Sequence, residues 1–307
     1  MNALTLDQLA AMKKTNRREA LKQIALGSMA MGAVPSLAFA ADKMDEKLRL
    51  KGNINHSVCR WTYNFLPLDE LCRVVKKIGF HAIDLIAPKD WPILQEHDIF
   101  CSMCYTNGDI SLTEGWNNTN FHPGLISAFT EAIPLVAKAG YKNLICFSGN
   151  RKGMDDETGL KNCVDGLKQI LSLAEKNGVI VQMEVFNSKV DHKDYMADKT
   201  PWAIELCKRL GSENFKILYD IYHMQIDEGD VIRTIKDNHQ WFGHYHTAGV
   251  PGRHEIDDSQ ELYYPAIMNA ILATGFTDYV AQEFIPTGKE KNDKIAALKK
   301  AVKICDV

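Results

Sequence analysis

The densest group of reactive side chains is the run GHYHTAGVPGRHE, residues 243–255, where His244, His246, His254, Arg253 and Glu255 sit among glycines and a proline. Neutral imidazole binds borderline metals, and the planar guanidinium of Arg253 suits a carboxylate or phosphate. A run that opens on Trp241-Phe242 and turns to Gly, Pro and charge has the composition of a buried strand ending in a functional loop. A polar surface loop has the same composition. Three other strand-like runs end on acids: Val181-Gln182-Met183-Glu184, Leu218-Tyr219-Asp220 and Ala281-Gln282-Glu283. A carboxylate closing an apolar strand is costly unless it is paired, hydrogen-bonded or bound to a metal. Glu184, Asp220, His246 and Glu283 make a hard, anionic donor set suited to one divalent ion, Mg²⁺ or Mn²⁺, with Co²⁺ or Zn²⁺ also admitted. A structural zinc site would show more Cys or His. Unrelated helix caps and ion pairs are the competing account.

These side chains need a frame. Strand-like apolar runs fall at 53–59, 82–86, 99–105, 143–147, 179–185, 215–219, 241–246 and 279–284. Amphipathic runs of helical period follow them at 68–78, 91–97, 123–139, 156–177, 200–210, 230–239, 264–274 and 291–305. Eight strand–helix pairs predict an α/β chain folded as a (β/α)8 TIM barrel, one domain over residues 41–307. A doubly wound open sheet is the other α/β layout. It would show a glycine-rich turn after its first strand, and Cys59-Arg60-Trp61-Thr62 is not one. In a barrel, functional residues sit at the C-terminal ends of strands. The four donors then come from four consecutive strands and can converge.

The chain carries a net charge of −3 and 46% hydrophobic residues, an ordinary globular balance with no basic surplus for a nucleic-acid backbone. Lys13, Lys14, Arg17 and Arg18 precede an apolar run, 24–38, that ends in Ala38-Phe39-Ala40, a small-x-small cleavage pattern. Residues 1–40 therefore read as an export signal. Asn16-Arg17-Arg18-Glu19-Ala20 resembles the twin-arginine type, with Ala20 where a bulky residue is common. The run is too short for a stable membrane anchor, which implies a periplasmic mature chain. The eight cysteines form no zinc-ribbon or disulfide framework. Cys101 and Cys104, three apart in a strand-like run, should face opposite sides and remain buried thiols.

From Asn53 onward the sequence resembles the xylose isomerase-like barrel family, and within it the hydroxypyruvate isomerases. The resemblance rests on the loop from His246 to Glu255, on Asp220-Ile221-Tyr222-His223-Met224-Gln225, and on Glu184 followed by Asn187. It implies that Glu184, Asp220, His246 and Glu283 hold the metal and that the two glutamates also move protons. His223, Arg253 and Asn187 would then meet substrate oxygens. The reaction implied is a proton shift between adjacent carbons of a small α-hydroxycarbonyl compound or sugar, through a cis-enediolate. Many hydroxypyruvate isomerases carry Gln at the position of His246, whereas related ketose 3-epimerases carry His. Residues 107–118 also depart from the isomerase pattern. An epimerase or other sugar isomerase therefore stays open, as do a phosphodiesterase, which would need more metals and a basic groove, and a sugar-binding protein without catalysis. His254 and Glu255 are expected to orient His246 or Glu283. Arg253 has a second account as a surface partner of Glu255 or Asp257, and His223 as a structural cap. Trp61, Phe186 and Trp202 are candidate pocket walls, His56 a packing residue. Similar barrels form homo-oligomers.

Overall fold

The computed structural model describes residues 47–108 and 111–307, so the expected export signal lies outside the described residues. Eight parallel strands run β1 (Asn55–Val58), β2 (Ala82–Ile86), β3 (Phe100–Cys104), β4 (Asn143–Cys146), β5 (Ile180–Glu184), β6 (Phe215–Asp220), β7 (Phe242–Thr247) and β8 (Tyr279–Gln282). From β2 to β8 each pairs with the next, and β8 pairs with β1. A bridge between Cys59 and Asp84 brings β1 to β2, which nearly closes the ring. The helices between them are α1 (Leu68–Ile78), α2 (Trp91–Glu96), α3 (His122–Lys138), α4 (Asp156–Asn177), α5 (Thr200–Leu210), α6 (Ile221–Asp227), α7 (Val231–Asn238), α8 (Tyr264–Ala273) and α9 (Lys291–Cys305). This is the (β/α)8 barrel that the alternation of runs predicts.

The strands read as unbroken apolar runs because a parallel sheet is covered on both faces. Every residue of β2 and β4 is buried. Each helix lays one stripe on the barrel: α1 buries Leu71, Cys72, Val75 and Ile78, and leaves Lys76 and Lys77 in its last turn, where they favour the dipole. α6 has no counterpart among the expected elements. It starts directly on Asp220 at the end of β6, with no turn residues to announce it.

The pairing of β2 with β3 is irregular. Ile83 lies opposite Cys101 and Asp84 opposite Met103, so Ser102 is an extra residue on β3. Leu85 is the extra residue on β2 and has a left-handed φ of 63°. One inserted residue reverses which face later side chains occupy. Cys101 and Cys104 consequently meet, Sγ to Sγ at 3.4 Å, rather than facing apart as expected. All eight cysteines are buried free thiols.

Packing between helix and loop is tight at Gly166 in α4, where a Cβ would stand 2.7 Å from Trp116 Cε3 and 2.8 Å from His122 Cε1. Trp116 is fully buried in the stretch before α3. Alanine in a helix gains about 1 kcal/mol over glycine, but overpacking a full core costs about 1–3 kcal/mol. Gly166→Ala should therefore lose stability in urea unfolding, against the helix-propensity trend.

Candidate active site

Glu184 closes β5, Asp220 closes β6, His246 lies just before the end of β7, and Glu283 follows β8 directly. All four are buried. His246 Nδ1 lies 2.9 Å from Glu184 Oε1 and 2.9 Å from Glu283 Oε2. Asp220 Oδ1 accepts the backbone N–H groups of Tyr222 at 2.8 Å and His223 at 3.2 Å, so it caps α6. Its other oxygen, Oδ2, is buried without a hydrogen-bond partner. Donor atoms of the four residues all lie within 4.8 Å of one another. The convergence expected of four consecutive strand ends is present in the barrel.

Arg253 is not a surface residue paired with Glu255 or Asp257. Its Nη2 donates to Glu283 Oε2 at 2.6 Å and stands 3.7 Å from Asp220 Oδ2, while its guanidinium lies over the rings of Trp61 and Tyr222. The loop geometry puts it there. Gly252 has φ 93° and Arg253 itself φ 60°, a conformation that a non-glycine residue adopts only under tertiary constraint. At Gly249 a Cβ would meet Glu255 O at 2.5 Å, so the loop doubles back on bare backbone. Trp61 Nε1 donates to Glu283 Oε1 at 2.8 Å, which leaves both oxygens of Glu283 engaged.

His254 and Glu255 do not touch His246. His254 Nδ1 lies 3.1 Å from Ile285 O, and Glu255 accepts the backbone N–H of Thr287 at 2.6 Å. They tie down the chain just past Glu283. His223 is buried, with Nδ1 2.6 Å from Asn187 Nδ2 and Nε2 3.5 Å from Asp220 Oδ2. Asn187 is also committed to its own loop, accepting N–H groups of Val190 and Asp191 at 3.0 Å. A cavity of about 260 Å³ is walled by Trp61, Tyr105, Phe147, Phe186 and His192 and is reached by Glu184, Arg253 and Glu283. Trp202 is not among its walls: it is buried in α5 with Nε1 3.3 Å from Asp156 O. His56 packs at 3.6 Å from Asp306.

The residue that the sequence reading passed over is Asp84. It is fully buried in β2, with Oδ2 2.8 Å from His246 Nε2 and 3.0 Å from His244 Nε2. Its signal was an acid inside the apolar run Ala82-Ile83-Asp84-Leu85-Ile86, the same kind of signal that marks the strand ends.

Charges in the site are unbalanced. Burial, with Glu283 beside it, raises the Glu184 carboxyl above its usual range, and the same two causes raise Asp220 well above its own. Burial also acts on Glu283, but Arg253 and His246 outweigh it and hold that carboxyl well below normal. His223 is pushed well below the usual imidazole range by burial and by Arg253, so it is neutral at pH 7. Burial opposes a charge on His246, yet Cys59, Glu283 and Glu184 together hold it well above normal. Three clustered carboxylates, one with an orphaned buried oxygen, fit a divalent cation: Glu184, Asp220, His246 Nδ1 and Glu283 would hold it.

The fold and the site together define a barrel with a buried acid–base cluster at its C-terminal mouth. A family model described as xylose isomerase-like TIM barrel matches residues 72–303, and the chain belongs to that family. Among curated relatives, a 2-oxo-tetronate isomerase of Cupriavidus necator is 33% identical over 123 residues, covering 40% of this chain and 46% of that protein. That alignment spans less than half of the relative's length. Hydroxypyruvate isomerase of Escherichia coli is 25% identical over 251 residues, 77% of this chain and 94% of the relative. Among solved structures, an AP endonuclease, family 2, from Brucella melitensis matches with TM-score 0.70 at 22% identity over 80% of this chain and 97% of that one. D-psicose 3-epimerase of Clostridium cellulolyticum H10 matches with TM-score 0.66 at 16% identity, over 82% and 98%. Likeness at these identities shows the fold. Both relatives are named isomerases, in keeping with the expectation of an isomerase-type enzyme. No helix among the described residues is long and apolar enough to cross a membrane.

Proposed function

We propose that this protein is a divalent-metal-dependent isomerase that interconverts an α-hydroxyaldehyde and an α-hydroxyketone, most like the conversion of hydroxypyruvate to tartronate semialdehyde. One observation carries the reading: two buried glutamates from different strands reach the same imidazole nitrogen, 2.9 Å each, beside a small cavity. Their environments pull them apart, Glu283 toward the ionised form and Glu184 toward the protonated form. Carboxyl groups separated in this way are suited to taking and returning a proton. Glu283 is placed to accept the proton beside the carbonyl, and Glu184 to return one at the neighbouring carbon. A bound cation would supply Lewis-acid polarisation of the carbonyl and adjacent hydroxyl. Arg253 fixes Glu283 and lines the cavity, where its fork can also meet a substrate oxygen. Neutral His223 has an unpartnered Nε2 for another.

A ketose 3-epimerase is the second reading. It is favoured by His246 and by the rings of Trp61, Tyr105, Phe147 and Phe186, more apolar wall than a three-carbon acid needs. A phosphodiesterase finds little support, since among the described residues that line the cavity Arg253 is the single fixed cation, far from a basic groove. The test is a panel of hydroxypyruvate, tartronate semialdehyde and free ketoses in deuterated buffer with Mg²⁺ or Mn²⁺. Deuterium should enter the substrate at the carbon that loses its proton. Exchange into ketoses alone would replace the first reading with the second, and no exchange into any of them would reject both.

A further inference from the structure

We infer that Asp84 is a positioning residue for the metal site: by holding the Nε2–H of His246 it leaves Nδ1 as the nitrogen that faces Glu184 and Glu283. The inference rests on the metal-site reading above and adds a residue to it. Asp84 lies on β2, across the barrel from β7, and its place depends on two local irregularities already described. Ser102 is extra on β3, and Leu85 is extra on β2 with φ 63°. Between these two bulges Asp84 turns into the barrel interior together with Ser102 and Ser57. Ser102 Oγ donates to Asp84 Oδ1, and Ser57 Oγ stands 3.5 Å from the same oxygen. Oδ2 is taken up on the other side by His246 Nε2 at 2.8 Å and His244 Nε2 at 3.0 Å.

An ionised carboxylate offers only acceptors, so both imidazoles must present an N–H at Nε2. An ion at this site would take the place of the Nδ1 proton, and a proton kept on Nε2 leaves the Nδ1 lone pair free for it. Nδ1 of His246 is the atom that lies 2.9 Å from each glutamate. Without Asp84 nothing pins the proton to Nε2, and the tautomer that carries it on Nδ1 would present an N–H where a lone pair is needed. The His244 ring, 5.4 Å away at 81° to that of His246, occupies the same carboxylate oxygen and keeps Asp84 from turning aside. Carboxylate partners of ligating histidines typically change metal affinity by about 10–100-fold.

Cys59, Asp84 and His246 also have donor atoms within 4.8 Å of one another, which would make Asp84 a ligand of a second ion. The donor types decide against this: a thiol with one carboxylate and one imidazole is a softer set than Mg²⁺ or Mn²⁺ prefers. Asp84 and His246 are at hydrogen-bond distance, while Cys59 Sγ stays 3.9 Å and 3.7 Å from them.

The test measures Mn²⁺ binding by electron paramagnetic resonance on the whole protein without substrate, for the wild type, Asp84→Asn, His246→Gln and the double variant. Asp84→Asn should weaken Mn²⁺ about 10–100-fold, and the double variant should bind no more weakly than His246→Gln alone. Unchanged affinity in Asp84→Asn, or losses that add in the double variant, would overturn the inference. So would a wild type that takes two Mn²⁺ where Asp84→Asn takes one. Nitrogen-15 spectra of the unsubstituted protein with Mg²⁺ do not depend on Asp84→Asn folding. The His246 ring, assigned by its absence in His246→Gln, should be protonated at Nε2; a proton on Nδ1 would sink the idea. A wild type that binds neither ion overturns the metal reading itself, and the inference with it.

Discussion

Glu283→Gln is expected to lower solvent-proton exchange into the substrate by about 10²–10⁴-fold while the barrel stays folded. The substitution keeps the size of the side chain and removes its basicity. One of the two contacts on Glu283 survives it: Trp61 Nε1 at 2.8 Å and Arg253 at 2.6 Å both donate, and an amide oxygen can accept from one of them. The other amide position would then present N–H to a donor, which unsettles Arg253. Unfolding curves and Mn²⁺ retention that match the wild type, together with exchange at background, would support Glu283 as the proton acceptor. An active Glu283→Gln enzyme would remove it from that role. Glu184→Gln makes the comparison informative. If Glu184 returns the proton, its loss should leave deuterium entering recovered substrate faster than product forms.

The second large effect is on metal content. Asp220 has two jobs that sit on different oxygens: Oδ1 caps α6, and Oδ2 is the orphaned buried atom beside the other donors. Asp220→Ala removes both, so it should lose metal and also about 0.5–2 kcal/mol of stability through the lost cap. Asp220→Asn separates them. Its amide oxygen can still accept the N–H groups of Tyr222 and His223, while the charge that would hold a cation is gone. We expect Asp220→Asn to unfold close to the wild type in the absence of metal yet to retain far less Mn²⁺ after dialysis, by elemental analysis. Wild-type stoichiometry in Asp220→Asn would remove Asp220 from the donor set.

The frame was readable because parallel strands covered on both faces are uninterrupted apolar runs, each followed by a helix-period stretch. The donors were readable for a related reason. An acid at the end of such a run, as at Glu184, Asp220 and Glu283, has no bland explanation that recurs at successive strands. What escaped depended on contacts far apart in sequence. Asp84 sits mid-strand, and its partners on β1, β3 and β7 are set by barrel closure and by two bulges that leave no local mark. The same bulges reverse the parity that was expected to separate Cys101 from Cys104. α6 was invisible because its cap is Asp220, a residue already read as a donor. His254 and Glu255 were placed in the right loop, but the backbone turns at Gly249 and Gly252 send them toward Ile285 and Thr287 rather than toward His246.

The donors Glu184, Asp220 and His246 lie on β5, β6 and β7, and Glu283 directly follows β8. A cation there would act as a non-covalent staple across one half of the ring, and the stability of that half would depend on how much free ion surrounds it. At a hundredfold excess over the dissociation constant the gain is about 2.7 kcal/mol. The other half contributes no donor and contains the sparsest pairings, the bridge at Cys59–Asp84 and the single pair Cys104–Leu144 between β3 and β4. Loading the ion should therefore slow amide exchange in β5 to β8 before it does so in β1 to β4, leaving a barrel of two halves with unequal stiffness.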